Sequence, residues 1–459
     1  MKNNNELTTQ PIPKLIRQLT IPISIGFFFN TMYNVVDTYF GGLISTQTLA
    51  AMSLSLPVFF VIISMGSGIS TGVTALIATA LGAEDREEAR LFAIQGMIFG
   101  VFMSFGLTLL GIYISPFLFT ILGASDEYLS ICLLYMDTLF KGVIFFMLIY
   151  MFNSVLQSLG DTKSYRNFLI FGFVLNIILD PWFIYGGLGL PPMGIAGIAL
   201  ATVLTQVTGS IYLGTKAYRT GLISCRKLKD IFPRAAAFKE IARQGLPASL
   251  NVMTIALGVF VITYFISKFG KEAVAAYGIG MRVEQIVLIP TIGLNVATLT
   301  LVAQNHGAKK FDRIFEILNS ALKYGGIFMG IGSIGIFVLA EQFMTLFTND
   351  ANVIRIGVTY LRIDALVLYA YIILFVSVAA LQGVKKPMFA VVIGIYRQIV
   401  APIAVFYFLA YVLGFGLTGV WWGIFFVTWS AAVIALFYSR RVLKKIADES
   451  ERLKLPTND

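Results

Sequence analysis

The sequence predicts an all-α integral membrane protein, with twelve transmembrane helices in two pseudo-symmetric six-helix bundles. Three observations carry this. Hydrophobic residues make up 57% of the 459 and charged residues only 13%, about half the share usual in soluble domains. The apolar residues fall into twelve long runs. The second half of the chain repeats the first at a nearly constant spacing.

A helix needs about 20 mostly apolar residues to cross a bilayer. The runs broken by Gly, Pro or charge fall at 16–42, 49–80, 89–118, 128–158, 164–187, 194–218, 239–268, 273–305, 312–345, 352–382, 387–413 and 416–440. Both chain ends and every second loop collect 26 of the 34 Lys and Arg, whereas the opposite loops hold only Lys268 and Lys271. Basic residues mark the cytoplasmic side, so both termini are expected there, in a multi-pass protein of the plasma membrane. The net charge of +10 is therefore a topology signal and not a nucleic-acid footprint, which would concentrate on one soluble face. The first 18 residues lack the apolar core and small-residue cleavage site of a signal peptide, so the first helix is expected to be retained. Cys132 and Cys225 suggest no disulfide or metal framework, and the lone His306 cannot build a histidine metal site. No cofactor is expected.

Pro22 and Pro247 lie 225 residues apart. The same offset relates Ser24 to Ser249, Thr38-Tyr39-Phe40 to Thr263-Tyr264-Phe265, Ala50-Ala51 to Ala275-Ala276, Gly68 to Gly293, Gly82-Ala83 to Gly307-Ala308 and Leu156-Gln157 to Leu381-Gln382. The offset then slips: Gly160 is paired with Gly383, and Gly194 and Gly197 with Gly416 and Gly419. Six is an even number of spans, so the halves run the same way across the membrane, related by an axis along its normal as in some secondary transporters. The predicted organisation is an N-terminal lobe at 1–215, a cytoplasmic linker at 216–238, a C-terminal lobe at 239–440 and a cytoplasmic tail at 441–459.

With this duplication in view, the chain resembles the multidrug and toxic compound extrusion family. The likeness runs over nearly the whole length. It rests on "TLAAMSLSLPV" opening the second span, "LGAEDREEAR" and "QNHGAKKFDR" after spans two and eight, "LQSLGDTKS" and "LQGVKKP" after spans four and ten, and "NIILDP" in span five. The pattern is most similar to the bacterial and archaeal branch that carries acids in its N-terminal lobe.

Asp37 lies about 6–9 Å from the outer end of its span, at 1.5 Å per residue. A carboxylate in lipid costs roughly 2.5–3.5 kcal/mol, so it is expected to face an interior or a cavity. Asn30, Tyr33, Asn34 and Asp37 recur every three or four residues, which places them on one helix face. Asp180 stands in span five with Asn176 one turn before it. Tyr135 and Asp137 are near the outer end of span four, with Lys141 four residues after Asp137, and Asn153 is deeper in the same span. The repeat partner of Asp37 is Ile262, and around that of Asp180 stand Ala401, Pro402 and Ile403. A purely structural role would more readily appear in both halves. Two desolvated carboxylates close together resist ionising together, so such a pair can hold a proton near neutral pH, or Na⁺ among carboxylate and amide oxygens. The resemblance implies that Asp37, Asp180, Asn176, Tyr33, Tyr135 and Asn153 line a cation-coupling cavity, and that a proton-linked bend of the first helix maps to Pro22. The plainer alternative is that these acids pair with Lys141 or with backbone and fix packing.

In the C-terminal half, Glu284 of span eight and Arg397 of span eleven fall near mid-depth, and a buried ion pair between them is expected. At the position where other branches of the family carry an acid in span seven this chain has Ile255, which implies that their site is absent or altered. The "LGDTKS" fragment lacks the glycine and Gly-Lys pair of a nucleotide-binding loop, so an ion gradient must drive transport. The expected function is secondary active efflux, exporting amphipathic cations in exchange for H⁺ or Na⁺ by alternating access, from a protein that is a monomer and not an enzyme. The alternative is a lipid-linked precursor flippase of the same fold, kept open by Arg282, Arg362 and Arg397.

Overall fold

In the computed structural model, residues 6–187, 189–224 and 230–452 are described. Cys225, Arg226, Lys227 and Lys229 of the linker, and Lys2 and Lys454 near the ends, lie outside them. The chain opens with α1 (Glu6–Thr9) and α2 (Ile12–Ile44), then α3 (Thr46–Gly82), α4 (Arg86–Ile121), α5 (Asp126–Lys141), α6 (Val143–Ser158), α7 (Lys163–Tyr185) and α8 (Ile195–Tyr218). The second half holds α9 (Ala235–Ser267), α10 (Lys271–Gly307), α11 (Phe311–Thr345), α12 (Ala351–Asp364), α13 (Leu368–Gly383), α14 (Met388–Ile395), α15 (Ala401–Tyr407) and α16 (Gly416–Arg452). Single π-helical turns at Tyr396–Val400 and Phe408–Val412 follow α14 and α15. Among the described residues, ten segments are long and apolar enough to span a membrane alone, and two bent pairs, each taken as one span, complete twelve.

Those bent pairs are the spans expected as single helices at 128–158 and 352–382. α5 meets α6 at 45°, and α12 meets α13 at 49°. A bend in apolar surroundings frees backbone carbonyls that must find donors. Here Thr108 Oγ1 donates to Phe140 O (2.8 Å) and Ser333 Oγ to Ala365 O (2.5 Å). Donors and acceptors are repeat partners, so both halves brace the same bend in the same way.

Backbone geometry also corrects the repeat register. Gly160 (φ 79°) corresponds to Lys385 (φ 60°), not to Gly383. The Asp161 N–H donates to Leu156 O and the Lys386 N–H to Leu381 O, at 2.9 and 2.8 Å. The helix ending demands a left-handed residue at a fixed distance, and that distance keeps the offset of 225 even where glycine is replaced by lysine. Glu84 (φ 62°) and Lys309 (φ 56°) form a second such pair.

The chain divides into two compact units. One takes in the chain up to Ser24, Gly82–Glu84 and everything from Leu250; the other holds Ile25–Leu81 and Asp85–Ser249. The first part of α2 thus packs with the C-terminal helices, and the first part of α9 with the N-terminal ones. Both helices change unit at repeat-equivalent serines, two residues after Pro22 and Pro247, and both run unbroken through those prolines. At Pro22, where a proline-linked bend is expected, Ser24 Oγ donates to Thr20 O at 2.9 Å across the turn. Glycines seat each half-helix. A Cβ on Gly293 of α10 would lie 2.6 Å from Thr20 O, and one on Gly72 of α3 would lie 2.6 Å from the Gly245 nitrogen.

The segment entering α9 is anchored within its unit. Gln95, fully buried on α4, donates to Asp230 O and Phe232 O at 3.2 and 3.0 Å and accepts from the Arg234 N–H at 2.7 Å. Arg90 pairs with Asp230 at 2.6 Å. The segment entering α2 is held in the other unit, where Lys310 Nζ donates to Thr8 O (3.0 Å) and Arg313 Nη2 to Gln10 O (2.7 Å).

Candidate functional site

Asp37 on α2 and Asp180 on α7 meet inside one unit. Asp180 is fully buried and Asp37 is 7% exposed. Asn176, one turn before Asp180 and fully buried, donates from Nδ2 to Asp180 Oδ1 at 3.0 Å. Thr202 Oγ1 of α8 reaches Asp37 Oδ2 at 3.4 Å. The two carboxyl groups and the Asn176 amide are close enough to influence one another. Asp37 Oδ1, Asp180 Oδ2 and Asn176 Oδ1 are nevertheless buried without a hydrogen-bond partner, as is the Tyr33 hydroxyl beside Thr202 and Thr205. Tyr135 of α5 stands in the field of both acids. Among the described residues no Lys or Arg forms an ion pair with either carboxylate.

Leaving a buried carboxylate without a partner is costly, and neutralising it needs a proton or a cation. The described residues contain no cluster of three His, Cys, Asp or Glu suited to a metal ion. The site is a carboxylate pair with amide and hydroxyl oxygens around it, chemistry that suits H⁺ or a weakly held monovalent ion.

The other expected residues make no hydrogen bond to this pair. Asn34 is exposed, and its amide donates to Asn30 O of its own helix at 2.9 Å. Asn153 is half-buried on α6 and makes no hydrogen bond to the pair. Asp137 has one buried oxygen without a partner. Lys141 is exposed, attracting Asp137 without an ion pair within 4.0 Å. Thr202 and Thr205 escaped the sequence reading because a threonine among apolar residues is unremarkable in a helix. Their spacing of three, which puts both hydroxyls on one face, was the available signal.

The second unit holds a cavity of about 170 Å³ lined by Glu284, Arg397, Tyr277, Tyr360 and Tyr371. The expected Glu284–Arg397 ion pair does not form within 4.0 Å. Tyr360 Oη donates to Glu284 Oε2 at 3.0 Å, and the Arg397 guanidinium lies over the Tyr371 ring, 5.4 Å from its centroid. Both charges have tyrosine neighbours and line the same cavity. Asp364, one turn after Tyr360 on α12, is buried with neither carboxylate oxygen partnered. Tyr360 is the repeat partner of Tyr135, so applying the offset of 225 to Tyr135 would have found this group. Ile255, in place of the family's acid, lines the same cavity.

The family description MatE matches this chain twice, over residues 22–182 and 247–408. Together these cover more than half of it, and the two matches begin 225 residues apart. The chain belongs to the MATE family of membrane transporters. Among curated relatives, the "FAD transporter" of Shewanella oneidensis is 28% identical over 400 residues, 87% of this chain and 88% of its own. The "Multidrug export protein MepA" of Staphylococcus aureus is 24% identical over 427 residues, 93% of each chain. A solved structure described as an outward-facing multidrug resistance MATE family transporter superposes with a TM-score of 0.90 at 26% identity, covering 98% of this chain and 99% of that one.

Proposed function

We propose that this MATE protein is a secondary antiporter that exports amphipathic cationic compounds in exchange for H⁺, or for Na⁺, by alternating access between its two halves. One observation carries the reading: Asp37 and Asp180 are buried, interact with each other, and have no basic partner among the described residues. A group of this kind binds either a coupling cation or a cationic cargo, and competition between the two gives exchange. Asn176, Thr202, Tyr33 and Tyr135 orient and polarise the pair. The lobes at 1–215 and 239–440 alternate in access, both termini face the cytoplasm, and the protein works as a monomer.

The test is ethidium movement in sealed vesicles of known orientation, with pH and Na⁺ gradients imposed separately. Export driven by the pH gradient and abolished in a well-inserted Asp37→Asn variant supports proton antiport. Export driven by Na⁺ alone replaces the coupling ion. Wild-type export by the variant removes Asp37 from the mechanism. The printed name of the Shewanella relative favours a second reading, export of a flavin dinucleotide. The same vesicles loaded with FAD distinguish it, since FAD export with ethidium retained reverses the cargo assignment.

A further inference from the structure

The cavity of the C-terminal unit holds two opposite charges that form no ion pair within 4.0 Å. Tyr360 donates to Glu284, and Tyr371 stands beside Glu284 with the Arg397 guanidinium over its ring. At more than 4.0 Å they attract without joining, although a direct ion pair is the usual resting arrangement for partly buried opposite charges. The negative end is reinforced by buried Asp364. The volume of about 170 Å³ is close to the roughly 150 Å³ that holds a benzene ring. Tyr277, Phe375 and Phe406 line it together with aliphatic side chains such as Val259, Ile262 and Leu288.

Arg397 is placed there by an irregularity. It sits in the π-helical turn Tyr396–Val400, a feature that clusters at functional sites. The irregular stretch adds a residue locally: Phe183, which Gly197 abuts, and Leu409, which Gly419 abuts, lie one residue further apart than the offset that holds through Asp161 and Lys386. Gly258 then permits close approach by Gln398, the next residue in the turn. The repeat partner of Glu284 is Phe59, and that of Arg397, at an offset of 225 or 226, is Gly172 or Phe171, so the first half lacks both charges at these places.

We infer that this cavity is a subsite for a single-ring aromatic zwitterion, with its ammonium group toward Glu284 and its carboxylate toward Arg397. Such a ligand completes both charges at once and stacks its ring on the tyrosines. A simple cation leaves Arg397 without an anion, and a simple anion leaves Glu284 without a cation.

The test is isothermal titration of the purified full-length protein in detergent with three probes sharing one ring: 4-(aminomethyl)benzoate, benzylamine and benzoate. The zwitterion is expected to bind at least tenfold more tightly than either single-charge probe. Arg397→Gln is expected to bring its affinity down to that of benzylamine, and Arg397→Lys to restore most of the preference. Glu284→Gln is expected to bring it down to that of benzoate. Equal wild-type affinity for the zwitterion and benzylamine overturns the proposal, as does the absence of binding by all three. A zwitterion preference that survives in Arg397→Gln places the site elsewhere and equally refutes it. The wild-type comparison stands even if a variant fails to fold.

Discussion

Gly293→Ala tests the seat that holds the first part of α2. The added methyl carbon would meet Thr20 O and Ser24 Oγ at 2.6 Å and Thr20 Cγ2 at 3.1 Å. Ser24 Oγ could rotate away only by giving up its own bond to Thr20 O, and Thr20 O is backbone. Ordinary contact begins at 3.4 Å against the 2.6 Å available, so the half-helix must withdraw by roughly 0.8 Å. Overpacking of this kind costs about 1–3 kcal/mol. Alanine also returns about 0.5–1 kcal/mol of helix stability relative to glycine, which blurs the single measurement. Gly330→Ala on α11 removes the ambiguity, because a Cβ there meets nothing within 4 Å. It receives the helix gain without the clash, so the difference between the two variants isolates packing, at about 1–3 kcal/mol. For units of this size that is about 2–4 °C in Tm per kcal/mol. Thermal unfolding in detergent, followed by tryptophan fluorescence, reads it: Gly330→Ala should melt at or above the wild type, and Gly293→Ala clearly below Gly330→Ala. Equal melting temperatures would refute the close seating of α2 on α10.

Asn176→Leu deletes the donor to Asp180 Oδ1 in a buried setting. A hydrogen bond to a charged group contributes about 1.5–3 kcal/mol, so gradient-driven ethidium export should fall by about 10–150-fold; wild-type rates would exclude Asn176 from the site. Gln95→Ala removes three hydrogen bonds to the segment entering α9. Hydrogen exchange at the Arg234 amide should then rise about tenfold or more, and unchanged exchange would show that Arg90 and Asp230 hold the segment alone. Thr108→Val and Ser333→Ala each leave a carbonyl at a bend without its donor. Each should cost about 1–3 kcal/mol, and a loss at only one of them would contradict equivalent bracing of the two halves.

Much of the fold was legible because a bilayer imposes simple rules. The apolar runs gave twelve spans, the constant offset gave the duplication, and an acid in an apolar helix face marked Asp37 and Asp180 as inward-facing. Periodicity placed Asn176 beside Asp180, which the 3.0 Å bond bears out. The bends after Lys141 and Asp364 were illegible, because neither break contains proline and each is held by a hydroxyl on a different helix. The repeat slipped in the reading at Gly160, because letters were matched where the conserved quantity was a left-handed backbone.

Composition, periodicity and the repeat therefore determined the class of protein and its spans, and singled out Asp37 and Asp180 as acids the second half does not repeat, since these are properties of the chain as a line of residues. Contacts between distant residues were decided only in three dimensions. These are the meeting of Asp37 with Asp180 and Thr202, the assignment of each half-helix before Ser24 and Ser249 to its unit, and the tyrosine neighbours of Glu284 and Arg397. The physical reason is that a side chain's depth in a helix can be counted along the sequence, but its partner is chosen by packing.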